Sequence, residues 1–173
     1  MKLHLKQNNK AGFTLIESLV YIFIFVLISG GAIGLLFSLN DLLLQYKLKQ
    51  ELLASGTAAI ERILIEARQA DTLTLAGSVL ASSTAGVIIL TQDANSTKIM
   101  KNGTQLELYK NGVLESTLTT ANVDVVGSTF YHYTLNNKEL IRVRLDLEAN
   151  IGNQTETWSV SGGAIIRGSY AST

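Results

Sequence analysis

The sequence contains no cysteine and no proline, and only one tryptophan and two histidines among its 173 residues. Without cysteine, disulfides and thiolate metal sites are excluded, and the fold must rest on packing and hydrogen bonds. Without proline, no helix is forced to kink or stop at one. His4 lies in a basic N-terminal stretch, so His132 is the one imidazole of the remainder. Flanked by Tyr131 and Tyr133, it reads as a face or edge residue of an aromatic strand. The chain has no HExxH, no nucleophile elbow and no phosphate-cradling glycine loop. Asp93, Asp124 and Asp146 lack the spacing of a calcium loop. The expectation is a chain that is not an enzyme, with no cofactor and no metal site.

What is present is one long apolar run. Residues 11–39, AGFTLIESLVYIFIFVLISGGAIGLLFSL, contain a single charged residue, Glu17. Roughly 20 apolar residues cross about 30 Å of hydrocarbon, so the run predicts a membrane helix. A carboxylate within such a span costs roughly 2.5–3.5 kcal/mol on insertion scales, which marks Glu17 as functional and in need of a cationic partner. Residues 1–12, MKLHLKQNNKAG, carry Lys2, Lys6 and Lys10 and no acid. Short basic flanks stay cytoplasmic, which predicts that the rest of the chain lies across the membrane. Without this stretch, 11 basic residues stand against 14 acidic ones. From Asp71 onward there are seven basic and nine acidic residues, so no strong nucleic-acid signal is present.

The order of these features (basic leader, Gly12, Phe13, an early Glu17, a long apolar helix) resembles the type IV prepilins and the related pseudopilins of secretion and DNA-uptake machines. GFTLIE, residues 12–17, is its most specific part. The resemblance implies cleavage between Gly12 and Phe13 by prepilin peptidase, a membrane aspartyl peptidase, and N-methylation of Phe13 by the same enzyme class. It implies an assembly role for Glu17, pairing with the Phe13 amine of its own or a neighbouring subunit. The implied partners are the peptidase, other pilin or pseudopilin subunits and, before assembly, the inner membrane. The implied location is that membrane and then a cell-surface filament. Two other readings fit the same N-terminus: a conventional secretory signal cut near Ala32, or an uncleaved anchor in which Glu17 snorkels. The second gives the rival function, a non-assembling, membrane-anchored binding module. Gly30, Gly31 and Gly34 mark either local helix melting or a close helix–helix approach.

Beyond residue 39 the helical pattern becomes one-sided. Leu48, Leu52, Ala59, Ile60, Ile63 and Ala67 recur at helical spacing, and Lys47, Lys49, Glu51, Glu61, Arg62, Glu66 and Arg68 are expected on the wet face. A heptad fails at Ser55-Gly56-Thr57, which argues against a coiled coil. The ending IERILIEARQA resembles that of minor, J-type pseudopilins.

The remainder reads as short β-strands over 87–90, 97–101, 105–110, 113–118, 123–126 with 130–133, 140–147 and 155–166, after a loop over 72–86. Trp158, Val160 and Ile165 are expected to face the core. Asn102-Gly103 and Asn111-Gly112 predict type I′ hairpins. The expected fold is α+β and pilin-like, with a long N-terminal helix packed on one antiparallel sheet of five to seven strands. The expected organisation is a cleaved leader (1–12), an apolar transmembrane or filament-core helix (13–39), an amphipathic continuation (40–70) and a β-rich globular domain (71–173).

Overall fold

The structure is a computed structural model that describes residues 14–82, 84–136, 138–152 and 154–170. Its first element is a single α-helix, α1, over Leu15–Gln69. Among the described residues eight strands follow: β1 Thr72–Leu73, β2 Val87–Gln92, β3 Asn95–Asn102, β4 Gln105–Lys110, β5 Val113–Thr117, β6 Val123–Leu135, β7 Lys138–Ile151 and β8 Gln154–Ile165. A 3-10 turn, Arg167–Tyr170, closes the described chain. The expected α+β arrangement, a long helix followed by antiparallel β structure, is present.

Two compact units divide the chain, Met1–Leu43 and Leu44–Thr173. In the first, the helix is apolar on every side, and Leu19, Phe23, Val26, Leu36 and Phe37 are all exposed. A helix with no polar face is built for an apolar surrounding rather than for water. It is the one helix among the described residues that is long and apolar enough to cross a membrane.

In the second unit, the helix buries Leu48, Leu52, Ala59, Ile60, Ile63 and Ala67, the stripe expected from their spacing. The strands form two sheets rather than the expected one: a five-stranded meander, β1-β2-β3-β4-β5, and a three-stranded one, β6-β7-β8. Alternation reports which face of a strand is buried but not which strand lies beside it. Their apolar faces meet the helix stripe in a common core: Ile88, Leu90, Ile99, Leu106 and Leu108 from the first sheet, and Phe130, Ile141, Val143, Leu145 and Leu147 from the second. The sheets are stitched through β6. Its Ser128 carbonyl accepts the Gly86 N–H at 2.9 Å, its Phe130 carbonyl accepts the Ala81 N–H at 2.8 Å, and its Val125 N–H donates to the Thr104 carbonyl at 2.7 Å.

Several local readings are corrected. Residues 123–126 and 130–133, open to being one strand or a broken one, are one strand, β6, with a register shift between Val125 and Gly127 that leaves Val126 as an extra, exposed residue. The loop over 72–86 contains β1, paired with Thr91 and Leu90, and a bridge from Val79 to Val87. In β8, Trp158 and Val160 pack on the core as expected, but Ile165 falls on the opposite parity; Ala164 and Ile166 are the buried residues. Asn111 and Gly112 both have positive φ, as a type I′ turn requires. In the other hairpin, Asn102 pairs with Gln105, so the turn is Gly103-Thr104, with positive φ at Gly103 alone, the type II′ pattern.

Where the helix meets β8 the two backbones come close. A Cβ on Gly56 would lie 2.7 Å from Leu147 Cδ1 and from Trp158 Cζ3, and one on Gly162 would lie 2.7 Å from Ile60 Cγ2. Two of the three residues that break the heptad, Ser55 and Gly56, are thus buried contacts, and Ser55 also accepts the Thr120 N–H at 3.2 Å. Lys49 pairs with Glu156 at 3.6 Å, so helix positions 49, 56 and 60 meet strand positions 156, 158 and 162. The helix and β8 therefore run side by side in the same sense.

Candidate functional site at the N-terminal helix start

Gly12 and Phe13 lie outside the described residues; Glu17 lies inside them, in the first turn of α1. Thr14 immediately precedes the helix, and its carbonyl accepts the Glu17 N–H at 3.1 Å and the Ser18 N–H at 3.2 Å. Its Oγ1 also accepts the Glu17 N–H, at 3.4 Å. Thr14 is therefore the N-cap and Glu17 stands at N3, the Thr-x-x-Glu spacing of a capping box. The sequence reading passed over Thr14, although this spacing is a known helix-start signature.

The capping box gives Glu17 a second reason to exist, and magnitudes decide whether that reason suffices. A carboxylate in the first turn gains typically 0.3–1 kcal/mol from the helix dipole. Burial in hydrocarbon costs roughly 2.5–3.5 kcal/mol. The helix end thus offsets less than half of the penalty, and a cation is still needed at membrane depth. Glu17 itself is exposed. Gly30, Gly31 and Gly34 sit within the unbroken helix, and a Cβ on any of them would meet no other atom of the chain within 4 Å. Among the described residues no contact requires glycine there.

Residues 7–33 match the prokaryotic N-terminal methylation motif. That prepilin-type motif covers Thr14, Glu17 and most of the apolar segment, and it supports the type IV pilin and pseudopilin family, whose members are structural proteins processed by prepilin peptidase. With the apolar helix it fits an inner-membrane anchor that later enters a surface filament. No curated protein and no solved structure matches the chain.

The other residues singled out by sequence do not converge. His132 is half-buried in β6 opposite Ile141, and its Nε2 lies 4.0 Å from Glu139 Oε1, beyond hydrogen-bond length. Among the described residues no group of three or more His, Asp or Glu side chains is placed to hold a metal. The lysines of the β3–β4 hairpin point different ways. Lys101 donates to the Val126 carbonyl at 2.9 Å, Lys110 pairs with Glu66 and Glu115, and Lys98 stands on the other face of β3 from buried Thr97 and Ile99. Glu66, expected on the wet face, is only 5% exposed. It lies 2.7 Å from Arg62 and 3.5 Å from Lys110, while Glu115 closes the network at 3.4 Å from Arg62 and 3.2 Å from Lys110.

Proposed function

We propose that the chain is a structural subunit of a type IV pilus-like filament, of the minor pilin or pseudopilin kind. Prepilin peptidase cuts it between Gly12 and Phe13 and its new terminus is N-methylated at Phe13. The supporting observation is GFTLIE at the head of an all-apolar helix, inside the matched methylation motif, with Glu17 in the first helical turn. Released by cleavage, the Phe13 amine supplies the cation that the Glu17 carboxylate requires in hydrocarbon. The carboxylate of an incoming subunit is thereby registered against the terminus of another. Gly30, Gly31 and Gly34 leave room on the helix for a neighbouring helix to approach. Lack of cysteine, lack of proline and the J-like helix ending favour a minor over a major subunit.

N-terminal sequencing and mass measurement of the mature protein test the processing step. The expected terminus is N-methylated Phe13. A protein beginning at Met1, or near Ala32, overturns the reading. Glu17→Ala is then expected to be cleaved and inserted but absent from filaments. A Glu17→Ala chain that assembles normally refutes the registering role, whereas a parent chain that never enters filaments, and whose ligand binding survives Glu17→Ala, favours the anchored binding module.

A further inference from the structure

We propose that the free edge of β8 receives an extended strand from a different polypeptide chain, laid down beside residues 154–165. This does not depend on the filament reading: the edge and its cavity lie in the second unit, and the membrane helix enters only where a second copy is weighed as the occupant. The other sheet edges are blunted. β1 has two residues, β5 has five and a register shift against β4, and β6 is capped by the Gly86 and Ala81 N–H groups. By contrast, β8 is twelve residues long, pairs with β7 in unbroken register and carries neither lysine nor proline. Among the described residues, the backbone of β8 bonds to β7 alone. Long edges of this kind are normally protected by lysine, proline, a bulge or a covering element. A row of alternating N–H and C=O groups is matched in spacing only by another extended backbone.

A second observation shows where the guest's side chains go. Beside this edge, between α1 and β8, lies a cavity of about 170 Å³ lined by Lys49, Leu52, Leu53, Glu156, Thr157 and Trp158. Leu53 on its rim is 48% exposed. A strand added to β8 turns alternate side chains toward the helix, and one apolar side chain on that parity fills the cavity. Backbone pairing supplies affinity and the cavity supplies specificity, the division found in strand addition. Lys49 and Glu156 at the mouth neutralise one another, so the guest is apolar on its inner parity and uncharged there. The outer parity lies beside exposed Thr157, Ser159 and Ser161 and is polar. A second copy pairing this edge antiparallel would turn its helix end for end, with the Leu44 ends of the two chains opposed. That disfavours a symmetric pair of chains anchored in one membrane.

The test uses the full chain in lipid nanodiscs and amide hydrogen exchange. The probe is a peptide of about nine residues, alternating valine and threonine, with alternate backbone nitrogens methylated so that one pairing edge remains. The control peptide is methylated at every backbone nitrogen. We expect the probe to slow exchange of the outward amides of β8 at least tenfold and the control to leave them unchanged. Leu53→Lys should cancel the effect while exchange in β7 stays as in the parent. Unchanged β8 exchange with the probe, or equal slowing by both peptides, overturns the proposal. So does a disulfide-linked dimer of Thr157→Cys chains, which assigns the edge to a second copy.

Discussion

At the residue scale, the second unit turns on side chains whose burial departs from their chemistry. Glu66 is a carboxylate sunk beneath the surface and held by Arg62 and Lys110. Removing it strands neither cation, since both reach solvent and Glu115, but it deletes two charge-assisted contacts. Glu66→Ala is therefore expected to lower stability by about 1–3 kcal/mol, with Glu66→Gln losing less, as measured by urea unfolding. An unchanged midpoint in Glu66→Ala would show the network to be ornamental. Tyr109 is tied to the same sheet: its hydroxyl donates to Glu107 Oε2 at 2.5 Å. That bond, then burial and the Glu107 charge, raise the phenol above its ordinary value. A raised value in the fold means that its contribution to stability is present below a pH of about 10 and is lost as pH climbs through the folded value. Tyr109→Phe should flatten the alkaline limb of a stability-versus-pH curve, and an unaltered limb would assign that loss elsewhere.

At the element scale, sequence periodicity carried most of the strands and the apolar part of the buried stripe of α1. What it missed has identifiable causes. Glu66 looks like a wet-face residue until its partner Lys110, far away in sequence, is brought beside it. Two sheets looked like one because alternation is blind to neighbours. Gly56 looked like a defect in a heptad, whereas it is the place where Leu147 and Trp158 lean against the helix. Gly56→Val is expected to cost about 1–3 kcal/mol through overpacking, despite glycine's poor helix propensity. Gly30→Ala, by contrast, meets no atom of the chain and should leave subunit stability unharmed. Thermal unfolding of the two variants side by side measures the difference. At the other end of the helix, Thr14→Ala removes the cap and should cost about 0.5–2 kcal/mol of helix stability, visible as faster amide exchange at Glu17 and Ser18. The capping box was there to be read in the spacing of threonine and glutamate. A cationic partner for Glu17 was legible only through the resemblance, which implies the Phe13 amine, and Phe13 lies outside the described residues.

At the scale of the whole molecule, one helix belongs to two solvents. Its first part exposes apolar side chains on all sides, and its second part buries one stripe against β structure. Extraction from lipid exposes the first part unless another apolar surface takes over, so detergent-free solutions of the processed chain should aggregate or assemble. Sedimentation of the full chain against a truncation beginning at Leu44 checks this, with only the longer chain expected to sediment. A soluble, monomeric full-length chain would contradict the all-apolar reading.

The meeting of α1 and β8 has a mechanical corollary. The helix has a notch at Gly56 into which the sheet projects Trp158 and Leu147, and the strand has a notch at Gly162 into which the helix projects Ile60 and Leu64. Two interlocks of opposite sense, set along one axis, key the rod to the sheet. A tug directed down the helix must ride side chains out of both recesses together before the rod can slip.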